Sequence, residues 1–208
     1  MKNKTVTIAM EEKNFTPTNT FINFTEIDGK KAVRVIMDPN VKLDDEPTYA
    51  RLVGADFQNG TIAVQVLSRL LPDAPSHARG FIGVAFRIDE KDAKFESIYI
   101  RPTNGRVEDA FRHKHATQYF SYPDYKYDRL RIECPEKYET SADIGLNEWI
   151  DLKIEVAGET ANLYINGSEQ PVLRVSDLIH GADAHGGIGL WVGIGTEGYF
   201  SGLTIEKG

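Results

Sequence analysis

Short runs of alternating apolar and polar residues dominate the chain. In residues 151–156 the alternation is strict, with three apolar side chains on one face of an extended segment and three charged ones on the other. Turn dipeptides such as Asn166-Gly167 separate these runs, and helical periodicity is confined to one turn expected within 175–180. The predicted strands are Ala32–Met37, Thr61–Ser68, Phe81–Ile88, Phe95–Arg101, Arg129–Cys134, Asp151–Val156, Ala161–Ile165, Ile188–Ile194 and Leu203–Glu206.

Many short strands without helices between them predict an all-β fold built from antiparallel sheets, hence a sandwich or barrel. The chain has 208 residues, a length that an all-β fold often spans as one unit. The sequence contains no internal repeat, low-complexity tract or linker. We therefore expect residues 1–208 to form a single β-sandwich domain.

Composition and charge exclude several classes of protein. Hydrophobic residues at 41% and charged residues at 26% are typical of a globular protein. The net charge, 24 − 31 = −7, argues against a surface built for nucleic acid, and no apolar run is long enough to cross a bilayer. We expect neither a nucleic-acid nor a membrane partner, and the oligomeric state stays open.

The beginning of the chain and its single cysteine bear on the cellular compartment. The apolar part of residues 1–15 is too short for a signal peptide. The sequence as written therefore predicts a cytoplasmic protein, and the alternative is a secreted protein whose leader has been removed. Cys134 is the only cysteine, so no intrachain disulfide and no cysteine metal cluster can form.

The segment 95–123 carries more long polar and aromatic side chains than a connection in solvent needs. Connections of more than about a dozen residues are uncommon unless they are functional or disordered, and this one is too aromatic to be disordered. We interpret it as the rim of a binding or catalytic site. Its polar and aromatic residues include Arg101, Asn104, Arg106, Asp109, Arg112, His113, His115, Gln118, Tyr119 and Tyr122.

Two predicted strands have small residues opposite their apolar face. Within 188–194 the indole of Trp191 stands between two glycines, and within 81–88 Arg87 shares a face with one glycine and one alanine. Small residues weaken a strand and are expected where a ligand approaches the backbone. An indole above such a floor suits the apolar face of a sugar ring, and an arginine suits its hydroxyls. The alternative is that loops bury both faces.

The C-terminal third carries a family resemblance. Trp149 opens a strand, a Leu-Tyr-Ile-Asn-Gly hairpin occupies 163–167, and a glycine-rich strand precedes residues 200–205. These features resemble the closing strands of concanavalin A-like lectin/glucanase domains, most of all the branch with laminin-G-like modules and 3-keto-disaccharide hydrolase-like domains. The resemblance extends over roughly 50–206 and implies a two-sheet jelly roll whose concave sheet holds the ligand. Because the fold hosts lectins, hydrolases and interaction modules, it does not assign an activity.

The acid pair of the laminarin-type glucanases in that superfamily is missing. Their Glu-x-Asp-x-Glu pattern places the acids on one strand face, and retaining hydrolysis needs two carboxyl groups about 5 Å apart. Glu26-Ile-Asp28 and Glu90-Lys-Asp92 begin this pattern without completing it. The ordinary retaining mechanism therefore has no visible place in this sequence.

Two histidines offer other chemistry. His113 and His115 would face the same way in an extended segment. With Asp109 or Asp124 they would suit zinc or another divalent ion. Alternatively, one of them acts as a general base paired with Asp109, or both serve only as hydrogen-bonding groups that contact a ligand.

A structural calcium is a further candidate cofactor, because sandwiches of this superfamily often carry one near the strand ends. The alternative is a solvated acidic loop. The candidate ligands are Asp38, Asp44, Asp45 and Asp56.

The local charge favours an anionic ligand. Residues 101–131 contain seven Lys or Arg and four acids, 7 − 4 = +3, in a chain of net charge −7. Arginine suits carboxylate, sulfate or phosphate through paired hydrogen bonds. This favours an acidic or phosphorylated saccharide over a neutral glucan, unless Arg129 and Arg131 merely pair with neighbouring acids on an exposed strand.

The sequence therefore predicts a carbohydrate-binding jelly-roll protein with a saccharide partner and a site formed by the concave sheet and the loop 101–124. Whether it also cleaves its ligand is open, and as an enzyme it would be glycoside hydrolase-like without the usual acid pair. The alternative is a non-catalytic protein-interaction module of the laminin-G-like type. The catalytic candidates are His113, His115 and Asp109. The ligand-binding candidates are Arg87, Tyr99, Arg101, Asn104, Arg106, Gln118, Tyr119 and Trp191.

Overall fold

The computed structural model describes residues 5–208. Residues 1–4, at the start of the stretch considered above as a signal peptide, lie outside the described residues. The strands, in chain order, are β1 (Thr5–Thr7), β2 (Phe15–Thr18), β3 (Thr20–Ile27), β4 (Lys30–Met37), β5 (Tyr49–Leu52), β6 (Gly60–Leu70), β7 (Ile82–Ile88), β8 (Phe95–Ile100), β9 (Thr117–Tyr122), β10 (Glu139–Thr140), β11 (Ile150–Ala157), β12 (Thr160–Ile165), β13 (Leu173–Val175), β14 (Gly187–Val192) and β15 (Thr196–Lys207). The helices are α1 (Ala110–His113) and α2 (Tyr127–Glu133), with 3-10 turns at Glu12–Asn14 and Pro102–Asn104.

The strands form two antiparallel sheets that pack face to face. Sheet A has eight strands in the order β13-β12-β11-β6-β15-β4-β3, with β1 beside β15. Sheet B has seven strands in the order β10-β9-β8-β7-β14-β5-β2. This confirms the predicted all-β, two-sheet jelly-roll sandwich. None of the helices formed by residues 5–208 has the length and hydropathy of a membrane-spanning segment.

Strand periodicity is confirmed where a strand has one buried face. In β11, Leu152, Ile154 and Val156 are buried while the residues between them are exposed or half-buried. After β12 the chain turns at Asn166-Gly167, both with positive φ, and Ser168 N–H donates to the carbonyl oxygen of Ile165 at 3.0 Å.

Two local predictions were wrong. Residues 129–134, predicted as a strand, lie mostly in α2, because Leu130 alone is buried there and Ile132 is 80% exposed. A one-sided contact of this kind suits a surface helix better than an alternating strand. The helical turn expected within 175–180 is absent, since β13 ends at Val175 and irregular backbone comes after it.

The segment 95–123 is also not one long connection. It contains β8, a 3-10 turn, α1 and β9, and only residues 101–116 connect the two strands. Gln118, Tyr119 and Tyr122 are therefore strand residues of sheet B rather than parts of a loop.

Sheet B is buried on both faces. Every residue of β7, β8 and β14 is buried, which is the alternative considered above for the small-residue face. The small residues make room for packing: a Cβ at Gly83 would lie 2.3 Å from the carbonyl oxygen of Ile98, and one at Gly189 would lie 2.7 Å from the Tyr49 ring. The outer face of this sheet is covered by connections, and the cavity described below lies between them and the sheet.

Arg87 is a structural residue rather than a ligand contact. A register shift opposite Gly187 and Ile188 leaves it as the extra residue of a β-bulge with φ +54°. Its guanidinium, 2% exposed, donates to three carbonyl oxygens of surrounding loops at 2.7 to 3.0 Å. Those acceptors belong to Gln58, Gly158 and Gly181.

We expect Arg87→Met to lower the free energy of unfolding by about 2 kcal/mol or more, because the buried Arg87 side chain loses its hydrogen bonds to three partly buried carbonyl oxygens. Urea denaturation measures the change. Arg174→Met, at an exposed arginine of β13, is the matched control and should stay within about 0.5 kcal/mol of the parent protein. Equal stability of the two variants would contradict the structural role of Arg87.

Candidate functional site

A cavity of about 220 Å³ lies on the face of sheet B that points away from sheet A. The side chains of Ile82 and Val192 approach Gly198 of β15, so they point toward sheet A. Tyr99 and Trp191, which line the cavity, project from the opposite face of sheet B. The lining residues are Asp44, Asp45, His77, Arg79, Phe81, Tyr99, Arg101, Asn104, Phe111, Arg112, His115, Tyr127, Arg131, Trp191 and Gly193.

The floor of the cavity is aromatic and tightly packed. The Trp191 ring lies 4.8 Å from the Tyr99 ring and 5.6 Å from the Phe120 ring, between centroids. Its indole N–H donates to the carbonyl oxygen of Glu46 at 2.8 Å. Because Trp191 is 1% exposed, it forms part of an inner wall and not the open platform that the sequence suggested.

Arg101 is a buried arginine whose donors are used within the protein. Its Nη1 donates to Glu139 Oε1 at 2.9 Å and to the carbonyl oxygen of His115 at 3.1 Å. Its Nη2 donates to the Tyr99 hydroxyl and to Gln118 Oε1, both at 2.9 Å. Arg101 therefore holds the surrounding side chains of the cavity wall in place. Gln118 contributes a hydrogen bond to Arg101 but does not itself line the cavity.

Glu139, on the edge strand β10, is the acidic partner of Arg101 and of a second arginine, Arg131. It accepts paired hydrogen bonds from Arg131, including 3.0 Å from Nε to Oε2, besides the bond from Arg101. Burial raises the pKa of Glu139, but the hydrogen bond from Arg131 and the charges of both arginines outweigh it and hold the pKa below the usual value. The carboxylate is therefore ionised and pairs with two guanidinium groups.

The two predicted histidines point in different directions because the segment is helical rather than extended. His115 is buried: its Nδ1 donates to the carbonyl oxygen of Phe111, and its Nε2 faces Glu139 Oε2 at 3.3 Å. Both ring nitrogens thus have protein partners. His113 is exposed on α1 and does not line the cavity. The predicted pair of imidazoles on one side does not form.

Asp109 has a structural role at the beginning of α1. Its Oδ1 accepts the N–H groups of Phe111 at 3.0 Å and Arg112 at 3.1 Å, the usual arrangement of a helix N-cap. It does not line the cavity. We therefore do not keep Asp109 or His113 as catalytic candidates.

The candidate metal ligands do not converge either. Within residues 5–208 no three His, Cys, Asp or Glu side chains are grouped so as to hold a metal ion. Asp38 accepts a hydrogen bond from Asn40 N–H at 2.8 Å, and Asp56 lies 2.8 Å from His185. These two acids contact other residues and do not line the cavity.

The remaining predicted ligand contacts divide between the cavity and other places. Asn104 lines the cavity and links its walls, donating to the carbonyl oxygen of His115 and accepting from Arg112 Nε at 3.1 Å. Arg106 is an exposed residue paired with two acids outside the cavity. Tyr119 is fully buried, and its hydroxyl contacts Glu96 and accepts Ile179 N–H at 3.0 Å. Its register partner Ile98 places it toward the interior between the sheets.

Arg79 and Arg112 are the cavity arginines without a carboxylate partner. Among the ion pairs formed by residues 5–208, none involves either side chain. Arg79 Nη1 donates only to two carbonyl oxygens of its own loop, each at 2.8 Å. Arg112 donates to Asn104 and Thr103 at 3.1 to 3.2 Å. Burial, followed by the charges of Arg112 and Arg101, lowers the pKa of Arg79, so positive charge is in excess here.

Asp45 is an acid that sequence reasoning considered only for calcium. It is 4% exposed and has φ +53°. Its Oδ2 accepts Tyr127 N–H at 2.8 Å, at the beginning of α2. Burial raises the pKa of Asp45 to about 7, despite the opposing effects of the Tyr127 N–H and Arg101. It is the cavity carboxyl whose protonation changes near neutral pH.

Sequence signals for the missed residues are weak. Arg79 precedes β7 in a connection without an unusual composition, and Glu139 sits on a strand of two residues. Asp45 lies in an acidic stretch that also suits solvent. Only the fold brings these three residues to one place.

Comparisons with known proteins agree on the fold. No family model matches the chain, and no curated protein matches it. Among solved structures it is similar to the carbohydrate-binding module CBM66 from Bacillus subtilis (TM-score 0.55, 14% identity, 91% of this chain and 96% of that one). It is also similar to a native glycosidic hydrolase (0.55, 11%, 98% and 95%) and to a protein of unknown function with a galectin-like fold from Bacillus subtilis (0.54, 9%, 94% and 90%). Identities this low show a shared sandwich fold and nothing finer.

Glu139→Gln should lower the free energy of unfolding by about 3–5 kcal/mol, because two guanidinium groups lose their buried counter-ion. Urea denaturation at neutral pH measures this. Glu136→Gln is the matched control, since Glu136 is exposed and pairs only with Lys114; its loss should cost at most about 1 kcal/mol. A similar, small effect of both substitutions would contradict the central role assigned to Glu139.

Asp45→Asn should leave stability nearly unchanged at pH 4 and raise it above pH 7 by about 1 kcal/mol or more. The pKa of Asp45 is raised above 3.8 in the folded state, so the stabilising contribution of this group is complete at low pH and is lost as pH rises through about 7. Asparagine stays neutral throughout and tolerates positive φ. Unfolding curves at pH 4, 6 and 8 measure the difference, and a pH-independent difference would contradict the assignment.

Proposed function

We propose that this protein binds carbohydrate, and that its cavity receives one residue of an acidic saccharide whose carboxylate, sulfate or phosphate lies against Arg79 and Arg112. The proposal treats the chain as one sandwich domain in which sheet B supplies the floor and the surrounding connections supply the charged groups. Binding, rather than cleavage, is the role that the residues favour.

The observation that carries the proposal is the pair of arginines without counter-ions. Four arginines line the cavity, and Glu139 pairs with Arg101 and Arg131. Arg79 and Arg112 are held by carbonyl, hydroxyl and amide oxygens, which fix their position but carry no full negative charge. An anionic ligand would supply that charge through strong, charge-assisted hydrogen bonds.

Size and surface chemistry support a sugar as the bearer of this charge. The volume of about 220 Å³ lies below the roughly 300–1,000 Å³ typical of sites for drug-sized ligands, which suits one sugar residue. Phe81 and Tyr127, which line the cavity and are half-buried, provide apolar surface for the C–H face of a ring. The names of two proteins with a similar fold, a carbohydrate-binding module and a glycosidic hydrolase, agree with this class of ligand.

The acids of the cavity argue for binding over hydrolysis. Asp44 and Asp45 are the acids among the described residues that line it, and they are adjacent in the chain. A retaining hydrolase places two carboxyl groups about 5 Å apart on either side of the bond that is cleaved. Neighbouring residues of one loop are poorly placed for such a division of roles.

A protein-interaction module remains the second candidate because of exposed apolar side chains near the cavity. Phe111 lines the cavity and is 62% exposed. Leu43 and Ile132, each next to a lining residue, are 66% and 80% exposed. Exposed apolar groups of this size around a cavity are typical of surfaces that contact another molecule.

Arg79→Ala and Arg112→Ala should each weaken binding of D-glucuronate or D-galacturonate at least about tenfold, through the loss of a charge-assisted hydrogen bond. Calorimetric titration measures the dissociation constants. A thermal-shift screen of acidic, phosphorylated, sulfated and neutral sugars precedes the titrations. A ligand at a concentration of 100 times its dissociation constant adds about 2.7 kcal/mol to the stability of the folded protein, which such a screen detects. Arg106→Ala, at an exposed and fully paired arginine, is the matched control and should bind like the parent protein.

Binding of neutral sugars alone would contradict the role of the two arginines. The absence of any shift with the whole set of sugars would overturn carbohydrate binding itself and favour the interaction module.

A further inference from the structure

We propose that Asp45 carries a proton when the cavity is occupied and donates a hydrogen bond to the acidic saccharide, so that binding takes up a proton wherever Asp45 is ionised in the free protein. This inference rests on the proposed function, because it concerns the same cavity and the same class of ligand. It assigns to Asp45 a ligand contact that decides how affinity depends on pH.

The position of Asp45 leaves one carboxyl oxygen for a ligand. Oδ2 accepts the N–H of Tyr127 at 2.8 Å, which orients the side chain at the beginning of α2. Oδ1 has no hydrogen-bond partner anywhere in residues 5–208, and Asp45 lines the cavity. A carboxyl group held in this way presents one atom to the cavity, and in the protonated form that atom carries a donor.

The charged groups around Asp45 do not compensate for a full negative charge. On its own segment the neighbour is Asp44, which repels it. Arg101 and Lys126 attract it, but Arg101 is paired with Glu139 and Lys126 with Glu46.

The remaining titratable and charged side chains that line the cavity come from its other walls. These side chains are His77, Arg79, Tyr99, Arg112, His115, Tyr127 and Arg131. With burial dominant, the pKa of Asp45 is about 7, so its neutral form is accessible under ordinary conditions.

An anionic ligand in the same cavity interacts differently with the ionised and the protonated form of Asp45. The ionised carboxylate would repel a ligand carboxylate and could only accept hydrogen bonds, whereas the neutral carboxyl group donates one. The ligand therefore binds the protonated protein more tightly, and by linkage it raises the pKa of Asp45 further. Uptake of one proton implies an affinity that falls up to about tenfold for each pH unit above the pKa.

The test is calorimetric titration of the intact protein with D-glucuronate and D-galacturonate between pH 5.5 and 8.5, in buffers of different ionisation enthalpy. The parent protein should lose affinity above pH 7 at close to tenfold per unit, and its proton uptake per ligand bound should rise from almost none at pH 5.5 to nearly one at pH 8.5. Asp45→Asn should bind nearly as well as the parent protein at pH 5.5 and should show no such slope. Circular dichroism and the unfolding curve establish that the variant is folded.

Three control variants separate Asp45 from its neighbours. Asp44→Asn removes the adjacent carboxylate and should keep the pH slope. His77→Gln, and His115→Gln if it folds, should also keep it. A slope that persists in Asp45→Asn, or that disappears only in a histidine variant, would overturn the inference.

The remaining outcomes distinguish this inference from the function on which it rests. Binding of an acidic sugar with a dissociation constant that is flat from pH 5.5 to 8.5 would overturn the role of Asp45 and leave the proposed function standing. Failure of both uronates to bind at every pH, with sulfated and phosphorylated sugars failing as well, would overturn both.

Discussion

The charge of one buried carboxylate holds the cavity together. Glu139 accepts hydrogen bonds from Arg101, at the end of β8, and from Arg131 on α2, and it faces His115 beyond α1. Two connections that cover sheet B, residues 101–116 and the segment that contains α2, thus converge on a single anion from a short edge strand. A buried charge is costly unless its hydrogen bonds are complete, and the completeness of this set fixes where each connection lies. The shape of the cavity is a consequence of that constraint.

The same carboxylate determines which arginines remain for a ligand. Arg101 and Arg131 share Glu139 and so belong to the wall. Arg79 and Arg112 are positioned by neutral oxygens alone, and their positive charge persists inside a partly enclosed space, where it acts more strongly than on an open surface. The cavity arginines therefore fall into two groups. Those paired with an acid build the walls, and those held by neutral groups are the ones to which we assign the proposed ligand.

Sequence periodicity predicted the strands that have one buried and one exposed face. It failed where the structure of a segment depends on contacts with residues distant in sequence. Alternation in β11 reports a sheet with one buried face. The same alternation in 129–134 is misleading, because Asp45, 82 residues before Tyr127, accepts the first N–H group of α2. A helix capped from such a distance carries no local signal of its beginning. Likewise the segment 95–123 was predicted to be functional from its own composition, whereas Glu139 could not be.

Two of the three arginines in the predicted site, Arg87 and Arg101, show how a single inserted residue changes a functional assignment. Strand alternation placed Arg87 on the face of Trp191 and so in the site, while Arg101 was placed there by its neighbourhood in sequence. Arg101 does line the cavity. Arg87 is the extra residue of a β-bulge and projects into the loops around Gly158 instead. Because side chains alternate with a period of two, one added residue reverses the face of every later residue in the strand. Assignment of a polar residue to a ligand face of a sheet therefore requires knowledge of the bulges, which composition and periodicity do not contain.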